Sequence, residues 1–413
     1  MKSIDFISKG KAEKIVELDL RGTSTELTDL SNLNTYAKNL NLLLVDNPSI
    51  EMSKIVPTIK VLSNATCGLS SNSLFGSDST WRAYGFQVDG ELEKYSFIGC
   101  SGITNFRIDT WDKSYGMLDL SGLVDTTVIH NGYLSVKYPS STKTIYTRVN
   151  SDSDFSLIKE LNYLYLNVNS YSENVILNFV NKMGNLTTDE LQISQYGMVN
   201  LSTLGNIKAS KITITGNSGN QQAKIASLKD FANANYVKKF TIQHSANLLT
   251  LEGIEDFLNL EYLEIYNCKN LSNITGLSSC TKLTEIHINN TKVGDISEIG
   301  QLNLLQKLYL GSNNIADISS LANLTKITEL ELASNNITDL KPLESMIVNG
   351  KIGIEALNIS NNLIPNMTVS GHNNIEILKN LCKAGVQTLN ITNTEINDTG
   401  KQELKKVCKN LVY

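Results

Sequence analysis

The 413-residue chain has no apolar run approaching the roughly 20 residues that a membrane-spanning helix requires. Its first twenty residues, MKSIDFISKGKAEKIVELDL, lack the apolar core and small-residue cleavage site of a secretory signal. Membrane insertion is therefore not expected, and either the chain stays in the cytoplasm or its export signal is absent from this sequence. Proline is scarce: five residues leave little from which to build a stiff linker, and no Gly-rich or charge-rich stretch divides the halves. Arginine is scarcer, with only Arg21, Arg82, Arg107 and Arg148 among the 36 basic side chains. The net charge is −5 and no Lys/Arg stripe is present, so neither a phosphate-binding surface nor a nucleic-acid partner is expected. The lysine bias, with abundant Asn, Ile, Ser and Thr, is the mark of an AT-rich coding sequence and points to a bacterium of low GC content. Six cysteines without C-x-x-C spacing are too few for a disulfide scaffold and leave the redox compartment open.

Chemistry-bearing motifs are missing too. There is no G-x-S-x-G, H-E-x-x-H, phosphate-cradling loop or dinucleotide fingerprint. The histidines are His130, His244, His287 and His372. His287 lies between Ile286 and Ile288 and should point outward from a strand. His244 falls two coils away, about 10 Å by strand spacing, too far to share an ion. Asp295, Asp317 and Asp339 recur once per repeat. Each is better read as the cap of its own turn than as a calcium ligand. No enzyme, metal or cofactor is expected. Recurring Asn-x-Ser/Thr triplets follow from composition and are not read as glycosylation sites.

What the chain does have is one phrase written repeatedly. LQKLYLGSNNIADISSLANL (Leu305–Leu324) and ITELELASNNITDLKPLESM (Ile327–Met346) share Leu308/Leu330, Leu310/Leu332, Asn313/Asn335, Ile315/Ile337 and Asp317/Asp339. Leu308 and Leu310 alternate around Tyr309 as a short strand facing a core. Asn313 sits where its amide can bond the backbone of adjoining turns. Ile315 and Ile318 turn back inward, and Leu321 and Leu324 close the coil. One such coil cannot bury its own leucines and must stack on copies of itself. The leading core residue recurs as Phe240, Leu263, Ile286, Leu308, Leu330, Leu357 and Leu389. The first four steps agree to within one position and the last two are longer, most of them inside the roughly 20–29 residue period of stacked strand-and-turn coils.

The pattern Leu305-x-x-Leu308-x-Leu310-x-x-Asn313-x-Ile315-x-Asp317-Ile318-x-x-Leu321-x-x-Leu324 resembles the short leucine-rich repeat of internalin-like bacterial surface proteins. It is also similar to the repeat of intracellular phosphatase-regulatory leucine-rich proteins. The match covers Val237 to Leu343, about a quarter of the chain. The implied fold is an α/β leucine-rich-repeat solenoid with a concave parallel β-sheet and a short helical or irregular convex side. Three regions follow. Residues 1–236 read as degenerate coils, with an insertion near 66–92 that carries Phe75, Trp81, Tyr84 and Phe86. Residues 237–345 are the short, regular repeats. Residues 346–413 are longer strand–helix units that resemble ribonuclease-inhibitor-like repeats. There Ile375, Leu378, Leu381 and Cys382 predict one helix ending at Gly385. Leu404, Val407, Cys408 and Leu411 predict a last, capping helix behind Asp398/Thr399, with Lys401, Lys405, Lys406 and Lys409 exposed. Cys382 and Cys408 face inward on these helices and could meet, but free buried thiols are the expectation, since Cys is a common small core residue.

The outward positions of the repeat strands form the candidate site: Tyr262, Glu264, Tyr266, Glu285, His287, Lys307, Tyr309, Glu329 and Glu331, continued by Ala356 and Asn358. Tyr163 and Tyr165 add aromatics in the first half. Tyr262, Tyr266 and Tyr309 are predicted to expose their rings as contact anchors, because tyrosine offers area at little entropic cost. The functional expectation is a monomeric module that binds a protein through its concave face, on the surface of a bacterium or secreted from it. The alternative is an intracellular scaffold or regulatory subunit in the cytoplasm.

Overall fold

The computed structural model describes residues 135–138, 140–148, 153–168, 173–194, 200–216, 224–348, 350 and 352–413, with seven strand segments before them (17–19, 42–45, 62–64, 80–84, 105–109, 117–119 and 127–130). The chain divides into two units, residues 1–191 with 206–208, and residues 192–205 with 209–413.

In the first unit Thr80–Tyr84, Asn105–Asp109, Thr127–His130, Thr144–Arg148 and Glu160–Asn167 pair in parallel in that order. Glu17–Asp19, Leu42–Val45 and Leu62–Asn64 form another parallel set, and Met117–Asp119 pairs with Ser135–Lys137. The insertion expected at 66–92 lies outside the described residues except for the strand Thr80–Tyr84. Among the described residues of this half, Glu173–Lys182 departs from the strand-and-turn reading: it is an α-helix. Ile176, Phe179 and Val180, at helical spacing, are fully buried, and Phe179 meets Phe155 edge-on at 5.3 Å.

The second unit shows why the phrase repeats. Phe240, Leu263, Ile286, Leu308, Leu330, Leu357 and Leu389 lie side by side on successive parallel strands, and Leu411 extends the row. Leu308 is 0% and Leu330 2% exposed. The other wall of each coil is a 3₁₀ turn: Ile254–Asp256, Leu277–Ser279, Ser297–Gln301 and Ser319–Asn323, replaced next by the short α-helix Lys341–Glu344. Each turns one apolar residue inward (Ile254, Leu277, Ile299, Leu321 and Leu343). Asp295, Asp317 and Asp339 do act locally, each accepting the backbone N–H two residues on, at 2.8, 2.8 and 2.9 Å.

Between strand and turn the backbone makes one sharp left-handed step per coil. His244, Asn267, Asn290, Ser312, Ser334, Asn361 and Asn393 all have φ between 53° and 58°. This region tolerates Asn best among residues with a side chain, because its short polar group can bond locally. The step turns the following residue into the core at Ser245, Cys268, Thr291, Asn313, Asn335 and Asn362, and leaves Thr394, in the last coil, half-buried. The asparagines there are almost fully buried. Asn335 donates to Leu310 O at 2.8 Å and Leu332 O at 3.1 Å, and its Oδ1 accepts the Ile315 N–H at 3.0 Å. Asn362 repeats this with Leu332 O, Ile359 O and the Ile337 N–H. Each amide thus serves backbone groups of its own coil and of the preceding one that would otherwise be buried unpaired.

The tail corrects three expectations. The helix Asn374–Ala384 ends at Gly385 as its pattern predicts, but the next one, Asp398–Lys405, is capped by Asn397, whose Oδ1 accepts the Gly400 N–H at 3.0 Å. It does not continue to Leu411. Asn410–Val412 is a strand, in register with Thr388–Asn390, because Asn-Leu-Val repeats the outward–inward–outward alternation of its neighbour. Finally, Cys382 and Cys408 are joined in a disulfide, with Cα atoms 5.2 Å apart. The sequence set both cysteines inward on consecutive units where they could meet, but the commonness of Cys as a core residue favoured free thiols; stacking brings the two within bridging reach.

Two outcomes are expected. Asn335→Ala should destabilise the chain by ~1–3 kcal/mol, since it strands buried backbone groups; an unchanged urea midpoint would contradict the column. Reducing the disulfide, or Cys382→Ser, should cost about 2–4 kcal/mol by freeing a closed loop in the unfolded chain. Denaturation with and without reductant measures it.

Candidate binding face of the repeat sheet

Alternation on the strands sends every second side chain out of the core, and in-register stacking lines these up in columns. One column runs Lys239, Tyr262, Glu285, Lys307, Glu329, Ala356 and Thr388; the next runs Thr241, Glu264, His287, Tyr309, Glu331, Asn358 and Asn390. All nine side chains singled out in the sequence lie on this face. Tyr266 is 43% exposed. Tyr262 and Tyr309 are half-buried, a departure from the free rings expected, because neighbours along a column stand only one strand spacing apart and crowd them.

The crowding is ordered. His287 stacks on Tyr309 with ring centres 4.2 Å apart and planes 13° from parallel, and Tyr262 lies 5.4 Å away on its other side. The His287 ring bonds Glu285 through Nε2 at 2.7 Å. Tyr262 donates to Glu264 at 2.9 Å, which also accepts from Gln243 at 3.0 Å. The Tyr309 hydroxyl donates to Glu329, and Lys307 pairs with the same carboxylate at 2.9 Å. Burial, reinforced by these carboxylates, pushes the Tyr262 and Tyr309 phenols above their ordinary range. Glu329 moves the other way, held down by the Tyr309 hydroxyl and by Lys307. Glu331 is raised, chiefly by burial, although the Ala333 N–H and the Asn358 amide bond it at 2.8 and 2.6 Å.

Beyond Glu331 the outward side chains shrink. Ala356, Asn358, Thr388 and Asn390 floor an open recess of about 310 Å³, with Tyr309, Glu329 and Glu331 on one side and Val412 on the other. Sequence reasoning placed Ala356 and Asn358 on the face but missed the depression, and it missed Thr388, Asn390 and Val412 altogether. The signal was the fall in side-chain size along each column. In the first unit Tyr146 lies 5.2 Å from Tyr163 and 5.7 Å from Tyr165, a separate aromatic cluster. Among the described residues no three His, Cys, Asp or Glu side chains converge as metal ligands would, and no helix is long and apolar enough to cross a membrane.

The two most regular coils match the model of the Leucine Rich repeats (2 copies) family over residues 304–345. Residues 304–345 are leucine-rich repeats, and the parallel, in-register coils stacked on them have the fold of a leucine-rich-repeat solenoid. No curated protein sequence matches it. Similar solved structures include an internalin (inlF) from Listeria monocytogenes, 19% identical, with a TM-score of 0.45 over 98% of this chain and 89% of that one. A leucine-rich-repeat protein of Leptospira interrogans is 15% identical, TM-score 0.43, over 100% and 93%. The TLR13–ssRNA13 complex gives 12% and 0.49 over 93% of this chain and 59% of that one.

The raised Glu331 generates a pH prediction. Below about pH 4.5, the ordinary value, the carboxyl is protonated folded or unfolded and costs nothing. As pH rises through that value the unfolded chain ionises first, so the folded state carries a penalty that is complete above the folded pKa. Glu331→Gln should therefore raise the urea midpoint at pH 7 and change it much less at pH 4. Equal shifts at both pH values would contradict the burial effect.

Proposed function

We propose that this chain is a non-enzymatic protein-binding module of a bacterial surface or secreted protein, acting as a monomer through the outward face of its repeat sheet. The observation that carries this reading is the face itself. Tyr262, His287 and Tyr309 form a continuous ring cluster held by Glu264, Glu285 and Glu329, on strands locked by the buried amides beneath. Such a surface loses little freedom when a partner covers it, which is what binding hot spots require. The Cys382–Cys408 bridge supports an oxidising location, outside the reducing cytoplasm. It weighs against the intracellular scaffold. The four outward glutamates 264, 285, 329 and 331, against Lys239 and Lys307, suit a partner with basic residues and an association rate that rises at low salt.

A photo-cross-linking residue placed at Tyr266, on the exposed face, should trap one protein from host or bacterial surface extracts. The same residue at Asn323, on the opposite wall of a coil, should not. Replacing Tyr262, Tyr266 and Tyr309 together with Ala should then weaken binding of that protein by ~2 kcal/mol or more. Trapping from Asn323 alone would move the site off the sheet.

A further inference from the structure

The recess beside Tyr309 has a chemistry more specific than a protein-binding face. Three features meet there. Tyr309 has one ring face covered by His287, which leaves the other to line the recess. Two carboxylates, Glu329 and Glu331, stand at the same wall. The floor is made of small side chains: Ala356 gives it an apolar patch beside Leu330 and Leu357, Asn358, Thr388 and Asn390 continue it, and Val412 closes it across the sheet. From the Tyr309 strand to the Val412 strand is four strand steps, about 19 Å, long enough to lay one extended side chain with its backbone neighbours across it.

Lysine and arginine both complement the negative charge, but the geometry separates them. A planar cation can stack on the free face of Tyr309 while its N–H groups reach a carboxylate in the plane, and its alkyl stem covers Ala356. An ammonium is a strongly hydrated point charge that can sit over the ring but has no planar face to stack on it, so it gains less there. Glu331 is suited to the role because each oxygen accepts a single protein hydrogen bond, from Ala333 N–H or Asn358 Nδ2, and retains a lone pair. We propose that this recess receives an arginine side chain of the partner protein, with the face of its guanidinium on Tyr309 and its N–H edge toward Glu331. The proposal rests on the reading of this face as a protein-binding surface.

The test is selection of a random linear peptide library, displayed on phage, against the intact chain. Arginine should be enriched at one position of the selected peptides. Exchanging that arginine for citrulline, which keeps the shape and removes the charge, should lower affinity at least tenfold; exchanging it for lysine should lower it at least threefold. Binding to the Glu331→Gln chain should fall tenfold, and so should binding to Ala356→Phe, which fills the recess from an exposed position and leaves every carboxylate in place. Selected peptides without arginine, equal binding of the citrulline form, or no selected peptide at all would each overturn the proposal. If Tyr266 still cross-links a protein in any of those cases, the binding face survives and only the arginine recess falls.

Discussion

No coil of this protein can close its own core. A single coil turns Leu308, Leu310, Ile315, Ile318, Leu321 and Leu324 inward from its strand and its turn, and only the coils above and below exclude water from them. Everything else follows from that stacking. The strands must be parallel and in register, the turns must recur at the same height, and any polar group at the junction of strand and turn is sealed inside. The amides of Asn313, Asn335 and Asn362 answer the last demand by bonding carbonyl and N–H groups of two coils at once. Where Asn is absent, smaller groups stand in the column: Ser245 donates to Ile225 O at 2.9 Å and Thr394 to Ile391 O at 2.8 Å.

The stacking also creates the candidate site. Because the inward rows are fixed, the outward rows are fixed with them, and His287 meets Tyr309 although a whole coil separates them in sequence. Their contact needs no loop and no induced order. The same rule makes the recess: the longer coils that follow Glu329 still place Ala356 and Thr388 in its column, but with smaller side chains.

Much of this was legible beforehand. Leu308 and Leu330 name their own positions because burial repeats with the coil, and Asn313 and Asn335 are recognisable from the phrase around them. The outward residues follow by alternation. The left-handed column was also written in the chain, as His244, Asn267, Asn290, Asn361 and Asn393, but Ser312 and Ser334 interrupt it and hide the rule. What a single coil cannot show is what two coils do together. The Cys382–Cys408 bridge, the pairing of Leu411 with Leu389, and the Tyr309 hydroxyl turned to Glu329 all depend on neighbours distant in sequence. The helix Glu173–Lys182 escaped because its consecutive apolar residues Val175, Ile176 and Leu177 also fit a short strand.

If coils stabilise one another only through their shared faces, energetic coupling must stop at the nearest neighbour. A double-mutant cycle on Leu308 and Leu330 tests this most directly, with Leu308 and Leu389 as the distant pair, each truncated to Ala and followed by urea denaturation. The stacked pair, adjacent in register, should show a coupling of about 0.5 kcal/mol or more, and the distant pair should be additive within about 0.5 kcal/mol. Additivity at Leu308 and Leu330, or equal coupling in both pairs, would contradict the account.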